Sequence, residues 1–245
     1  MFHKKGKVKG WVQSNKWNYF VGEVWAEIFL ELDFPKKGIV VEIAPGAVNK
    51  IGHALDFYGF SGTLYVIEPN TKALNSILGK YKKTLKKAKI IGIRGPLDKA
   101  ISLLPEKVDV IVANHPLDDM LLGKSLSPSM FSKYFGEKYG SSIKRTRRLW
   151  NRISLDKKRL KKIKSEIIKE YASLFEKVRP NWVVISQYKS QFFQSHKIFA
   201  PDENGLDVLQ KLRRKYVKKV VKTKLMGDIK HIEEPSRWLV LKNPR

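Results

Sequence analysis

The sequence predicts an α/β fold: a mainly parallel sheet with helices on both faces, closed by an antiparallel hairpin at its C-terminal end. Three observations predict it. Short, mostly apolar runs at 38–43, 62–68, 89–94, 108–114 and 182–186 have the length and β-branched content of buried strands. Stretches with helical spacing separate them, so successive strands are joined by right-handed crossovers and lie parallel. Two final runs, 216–225 and 237–242, are linked through Gly227-Asp228 and Glu233-Glu234-Pro235-Ser236, which suits an antiparallel pair at the sheet edge. Together these runs make a seven-stranded sheet.

In chain order, residues 1–16 carry Lys4, Lys5, Lys7, Lys9 and Lys16 with little apolar pattern, and read as a basic arm or a frayed terminus. Phe20, Val24, Trp25, Ile28, Phe29 and Leu32 then recur at helical spacing, and Asp33-Phe34-Pro35 stops that helix. Arm and helix form an N-terminal segment, 1–37, ahead of a domain spanning 38–245. The first strand runs into Ala44-Pro45-Gly46-Ala47, a small-residue turn, and a helical pattern leads to the second strand, which ends in Glu68. A helix over 72–85, the third strand, a Gly95-Pro96 turn and a helix near 98–104 follow. The fourth strand ends in Asn114, and the fifth is followed by a helix around 205–215.

Between the fourth and fifth strands the composition changes. Residues 124–170 are crowded with lysine and arginine and interleaved with Phe131, Tyr134, Phe135, Tyr139 and Trp150. The first part, 125–142, reads as loop or short helices, and 154–178 as one long basic helix. Cations for phosphates with rings for base stacking is how unpaired nucleotides are held; a solvated helix face over a few core aromatics is the alternative.

The whole chain has 49 Lys+Arg against 23 Asp+Glu, a formal charge of +26. That excess costs self-repulsion unless a polyanion neutralises it, so nucleic acid is the expected partner. A thermophile's lysine-rich surface is the competing explanation, but such surfaces pair lysine with glutamate, and acids are scarce here. With no cysteine, disulfides, Cys-ligated metal sites and thiol nucleophiles are excluded. The histidines, His3, His53, His115, His196 and His231, form no ligand-spaced pair, so no metal is expected. No apolar run approaches the roughly 18 residues of a membrane span and the N-terminus has no signal-peptide core, so no membrane association and a cytoplasmic location are expected.

In parallel sheets ligands bind outside the carboxyl ends of the strands. Residues 42–46, Glu68 with Pro69, residues 95–97 and residues 114–117 therefore converge on one rim. This layout, over roughly 38–242, resembles the class I S-adenosylmethionine-dependent methyltransferases, which share a Rossmann-like fold. Glu42 matches the acid that ends their first strand, and Gly46 one of the glycines that follow. Ala44 and Val48 stand where glycines are usual. Glu68 matches the acid that takes both ribose hydroxyls of the cofactor. An acid there also fits a nicotinamide nucleotide. The resemblance implies S-adenosylmethionine as cofactor, held by Glu42, Ala44, Pro45, Gly46, Glu68, Pro69, Leu97 and Asn114.

Ala113-Asn114-His115-Pro116-Leu117 resembles the motif with which the family's amino-group methyltransferases end their fourth strand, matching at Asn114 and Pro116 and departing at His115 and Leu117. It implies catalytic roles for Asn114, His115, Pro116 and Leu117. An exocyclic amine is a poor nucleophile while its lone pair is delocalised into the base; accepting its N–H bonds at Asn114 and at a main-chain carbonyl near His115 would turn that lone pair toward the methyl group. Leu117 can press on a base but not stack, so stacking falls to Tyr188, Phe192 or a ring of the insert. Asp118 and Asp119 suit a cation from the insert or the cofactor amine. The pattern resembles the archaeal ribosomal RNA cytosine-N4 methyltransferases, implying ribosomal RNA or a small ribosomal subunit as partner, with Arg145, Arg147, Arg148 and Lys158 on phosphates. Two other readings stay open: ribose 2′-O methylation, which wants a lysine such as Lys189 and acids around a hydroxyl, and an RNA-binding protein whose cofactor pocket has decayed.

Overall fold

A computed structural model describes residues 15–136, 142–223 and 234–244. Most of the predicted basic arm, Tyr139 and most of the predicted hairpin link lie outside them. The elements run α1 (Asn15–Leu32), β1 (Ile39–Ile43), α2 (Lys50–Tyr58), β2 (Thr63–Glu68), α3 (Thr71–Thr84), β3 (Lys89–Arg94), α4 (Leu97–Ala100), β4 (Val110–Asn114) and α5 (Leu117–Ser125). There follow α6 (Pro128–Gly136), α7 (Ile143–Leu155), α8 (Lys157–Val178), β5 (Trp182–Ser186), α9 (Gln191–Ser195), α10 (Ala200–Lys215) and β6 (Trp238–Lys242).

The strands form one sheet in the order β3-β2-β1-β4-β5-β6. The first five are parallel and β6 runs antiparallel to β5, with Val184 opposite Val240. The predicted α/β fold is the observed one. Its strand count among the described residues is six, not seven. The segment predicted as the other hairpin arm makes a 3₁₀ turn at Val217–Lys219 and meets the sheet only at an isolated bridge from Val220 to Leu241. Tyr216 and Val220 pack against one core cluster and Val221 against the other, while Val217 is exposed and Lys218, Lys219 and Lys222 interrupt the run.

A sheet of parallel strands must bury both faces. Val41 and Ile43 of β1, with Ile111, Ala113, Val183 and Ile185, pack toward α5, α8 and α10. Val40, Val110, Val112 and Val184 pack toward α1, α2 and α3. Helix α1 closes down on α2 because Gly22 has no side chain: a Cβ there would lie 2.8 Å from the Cβ of His53. The N-terminal helix is thereby part of the core that supports β1 and β4.

The insert differs from its predicted form. The predicted long basic helix over 154–178 is α8, Lys157–Val178, and a further basic helix, α7, precedes it; the two meet at Asp156, whose carboxylate accepts the Arg159 N–H at 3.0 Å and starts α8. Ser142 caps α7 in the same way, accepting from the Arg145 N–H at 3.2 Å. Thr146, Trp150 and Ile153 form the buried stripe of α7, with the cations on its outer face. Similarly, α10 begins at Ala200, with Pro201 in its first turn, ahead of the predicted start at 205. Among the described residues no helix is long and apolar enough to cross a membrane.

Replacing Asp156 with Ala removes the cap between α7 and α8 and should lower unfolding free energy by about 1 kcal/mol in urea titrations. An unchanged midpoint and slope would show that the break between the helices does not depend on this carboxylate.

Candidate functional site

The parallel strands end on one rim, and the site is built from their tips. After β1 the chain turns through Ala44 at φ 50° and Gly46 at φ 63°. The left-handed region costs an L residue about 1–2 kcal/mol, so Ala44 holds a strained conformation; its N–H donates to the Ile67 carbonyl at 2.8 Å. The turn brings the Gly46 N–H to Oε2 of Glu68 at 3.0 Å, while the Asn70 N–H meets Oε1 at 2.9 Å. Each carboxylate oxygen keeps a second lone pair for a ligand. A Cβ built on Gly46, or on Gly95 at the tip of β3, meets nothing within 4 Å. Backbone on both sides of Glu68 therefore fronts open space. Val48, at the third glycine position, lies exposed and does not fill the turn.

The other residues anticipated around this turn divide by burial. Ala44, Pro45 and Pro69 are half-buried along the rim, and Leu97 is buried beneath it. Glu42 is only 1% exposed, enclosed against α3, where the Tyr81 hydroxyl donates to its Oε2 at 2.6 Å. Burial, opposed by that bond and reinforced by Glu68, pushes its carboxyl up to about 8. Burial also raises Glu68, against the two backbone N–H groups that stabilise its charge. Glu42 thus supports the turn from below, and Glu68 faces it.

At the tip of β4, Oδ1 of Asn114 accepts from the indole N–H of Trp25 at 3.0 Å and from the Ser186 hydroxyl at 3.3 Å. Its Nδ2 donates to the Tyr188 hydroxyl at 3.4 Å. An indole can only donate, so Trp25 decides which end of the amide is oxygen. Both lone-pair directions of Oδ1 are then taken, and the amide shows its NH₂ toward Tyr188. Lys50, in the first turn of α2, donates to the Tyr188 hydroxyl at 2.7 Å, with its Nζ 5.4 Å from the ring centroid. Burial would raise the Tyr188 hydroxyl, but the Lys50 and His115 cations and the bonds from Lys50 and Asn114 bring it below its ordinary value.

His115 turns the chain at φ 58° and donates its main-chain N–H to the Ser186 carbonyl at 2.9 Å. Its Nδ1 lies 3.0 Å from Oδ1 of Asp118, and its Nε2 3.9 Å from Asp202. Burial disfavours the imidazolium, yet Asp118, with Tyr188 and Asp202, pushes it up to about 10. These acids favour the imidazolium form of His115. Gln187 locks the turn to β5, accepting from the Leu117 N–H at 3.0 Å and donating to Asp118 at 2.9 Å. Pro116 is buried and Leu117 completely so, leaving Leu117 out of reach of a base. Asp118 serves His115 and Gln187, and Asp119 is held well above the usual carboxylate range by burial, Asp118 and Glu68, against the pull of His115 and Lys50.

Of the anticipated residues, the fold brings Gly46 to Glu68, and Asn114 and His115 to Tyr188. Trp25, Lys50, Gln187 and Asp202 had no signal as site residues. They come from α1, α2, the β5 exit and α10, and no local motif marks them.

A cationic face adjoins the rim. Lys144, Arg147, Arg148, Asn151, Arg152 and Leu155 on α7 line a shallow depression of about 440 Å³. Arg147 donates to the His196 carbonyl at 2.8 Å, which ties α7 to the segment leaving β5. Arg145 and Lys158 are exposed on the same pair of helices. Tyr134 of α6 lies 3.4 Å from the Thr146 hydroxyl and feels the charges of Asp119 and Asp118, so the insert sits beside the β4 exit. Trp150 is fully buried and is no stacking platform, whereas Phe131 packs over Gly123 of α5.

Strand order, the antiparallel last strand and the helices on both faces define the Rossmann-like class I methyltransferase fold. Among solved structures, the S-adenosylhomocysteine-bound methyltransferase PaMTH1 of Podospora anserina is similar over 91% of this chain and 78% of its own, at 9% identity and a TM-score of 0.50. WbdD is similar over 94% of this chain at 10% identity and a TM-score of 0.50, and this chain spans 40% of its length. The fibrillarin/Nop5p complex also matches, over 91% of this chain and 82% of that one, at 13% identity and a TM-score of 0.44. No protein-family model matches the sequence, and no curated protein matches it significantly.

The Glu42 carboxyl yields a pH signature. Its folded value, about 8, lies above its ordinary 4.5, so between those limits the native state holds a proton that the unfolded chain has released. Stability should fall as pH rises through that window, by about 1.4 kcal/mol per pH unit for one proton. Unfolding measured from pH 5 to 8 should show a slope shallower by this amount in Glu42→Gln than in the wild type, the remainder coming from the other raised groups; equal slopes would refute the assignment.

Proposed function

We propose that the protein is an S-adenosylmethionine-dependent RNA methyltransferase acting on an exocyclic base amine, with cytidine N4 of ribosomal RNA as the narrowest form of the proposal. The observation that carries it is the pairing, on one rim, of the Glu68–Gly46 clamp with the polar tips of β4 and β5. Glu68 keeps one lone pair on each oxygen beside open backbone at Gly46 and Gly95. This suits a ribose diol, with the rest of an adenosyl group lying along Ala44, Pro45 and Pro69. When bound, the cofactor supplies an electrophilic methyl group on a sulfonium. The chain's own contribution is to place a nucleophile opposite it.

That nucleophile meets the β4 tip. The chain makes a left-handed turn at His115, at the end of β4, and the Asn114 amide, held by Trp25 and Ser186, sets the position of Tyr188 beside it. An amine docked against these groups has its lone pair turned out of conjugation by the N–H bonds it makes, which is the activation such a poor nucleophile needs. Asn114 acts in this arrangement by positioning. RNA as substrate rests on the charge of +26 and on the exposed arginines of α7 next to the rim. Unpaired bases suit that combination better than a duplex does.

Ribose 2′-O methylation is the second reading, favoured by one observation: Lys189 lies 3.7 Å from Glu234 just beyond β5. Both side chains are close to half exposed, however, and Asn114 offers an amide where a carboxylate would be wanted. A non-catalytic RNA-binding protein is the third, motivated by Ala44 and Val48.

Calorimetry with S-adenosylmethionine should show saturable binding in the wild type and its loss in Glu68→Ala; no heat in the wild type up to the solubility limit would remove both enzyme readings. Nucleoside analysis of RNA from a deletion strain should show the loss of one N-methylated base, whereas loss of a 2′-O-methyl nucleoside would select the second reading. Asn114→Ala should lower kcat by about 10²-fold with cofactor affinity nearly unchanged. Normal turnover would show that Asn114 has no part in the reaction.

A further inference from the structure

Resting on the proposed methyl transfer to an amine, we infer that the Tyr188 oxygen is the proton acceptor of that reaction, with Lys50 as its fixed countercharge and Asn114 as its positioning residue. The geometry carries the inference. Trp25 turns the Asn114 amide oxygen inward, so that the amide presents a donor to the rim. An incoming amine also presents donors, and the acceptor it needs must be another group. The Tyr188 oxygen is the acceptor placed there: it receives the Lys50 ammonium at 2.7 Å and the Asn114 Nδ2 at 3.4 Å. Those two partners are half-buried at the rim while the tyrosine is 4% exposed, so its oxygen lies beneath them. Trp17 meets the ring edge-on with centroids 6.4 Å apart, and His115 flanks it with centroids 4.9 Å apart. The ring is held from both sides, leaving the oxygen in one place.

The surroundings favour its ionised form. From α2 comes the Lys50 cation, and from the β4 exit the His115 cation. The acids nearby are engaged with those cations: Asp118 and Asp202 face His115, and Asp119 feels both His115 and Lys50 as well as Glu68. Burial opposes ionisation, and the two cations with the two donated bonds outweigh it. A phenolate so held has lone pairs for a substrate N–H.

The step balances without any further reactant. The amine nitrogen forms a bond to the methyl carbon as the carbon–sulfur bond breaks, and that electron pair stays on sulfur to give the thioether. The nitrogen, now positively charged, releases a proton to the Tyr188 oxygen, which returns it to water past Lys50 before the next turnover.

The first test needs no substrate. Tyrosinate absorbance is titrated in wild type, Tyr188→Phe and Lys50→Met, with thermal melts to confirm that each is folded. Of nine tyrosines, one should ionise below the others in the wild type and be missing in Tyr188→Phe. In Lys50→Met that ionisation should move up by on the order of one pH unit or more. Superimposable titrations of wild type and Tyr188→Phe would overturn the inference. The second test is the pH profile of RNA methylation. The wild-type rate should rise with pH to a plateau, Tyr188→Phe should lose about 10²- to 10⁴-fold and the rising limb, and Lys50→Met should shift that limb to higher pH. Turnover of Tyr188→Phe within about twofold of wild type, with the same limb, would overturn the role of Tyr188 and leave the methyltransferase reading standing. Absence of any N-methylated product with the wild type would instead remove that reading and this one together.

Discussion

The hydrogen bond from the Trp25 indole to the Asn114 side chain is the contact on which the arrangement of the rim depends. It joins the N-terminal helix to the tip of the fourth strand across 89 positions of sequence, at 3.0 Å. A buried amide can offer a donor or an acceptor to either side, and a partner that only donates removes the ambiguity. With the oxygen turned toward Trp25 and Ser186, the NH₂ is turned toward Tyr188, and Tyr188 toward Lys50. One contact in the core thus orders a chain of polar groups that ends at the open site.

That chain is stable because charges of opposite sign alternate through it. His115 sits between Asp118 and Asp202, Gln187 ties Asp118 to the β5 exit, and Lys50 binds Tyr188 while its charge reaches Asp119. A buried charge is costly alone and tolerable when paired and hydrogen-bonded. Gln187 fits there because Gly205 of α10 leaves it room; a Cβ at that position would lie 2.7 Å from its amide nitrogen. The same packing that seats α10 on the sheet therefore also holds the His115 turn in its left-handed conformation.

Two surfaces with different tasks result. The rim presents a carboxylate and open backbone at β1, β2 and β3, and a hydrogen-bonded polar floor at β4 and β5. Alongside it, α7 carries its cations outward over a stripe of Thr146, Trp150 and Ile153. The break at Asp156 is what lets α7 leave the line of α8 and pass beside the segment that follows β5, where Arg147 reaches the His196 carbonyl. Two helices meeting at Asp156 give the α7 cations a direction of their own, apart from those of α8.

The strands, their parallel order and the position of the rim were legible because a buried strand needs a continuous apolar run and a crossover needs a helix between runs, and both requirements are local in sequence. Glu68 and Asn114 were legible for the same reason: each is the polar residue at which an apolar run stops. The seventh strand was overread because valines have strand propensity, whereas the described part of that segment turns at 217–219 and pairs with β6 at one bridge. The burial of Leu117 was missed because a residue just past a strand tip can turn toward solvent or toward the core, and only the packing of α5 on α8 and α10 settles which. The sequence by itself determined the fold, the charge and the acids and amide at the strand tips. Tertiary structure alone decided which way the Asn114 amide points, that Tyr188 lies against Lys50, and that Asp118 and Asp202 face His115. Those properties depend on donors, acceptors and charges brought within about 3 Å from distant parts of the chain, at the range where hydrogen bonding and desolvation act and where sequence distance carries no information.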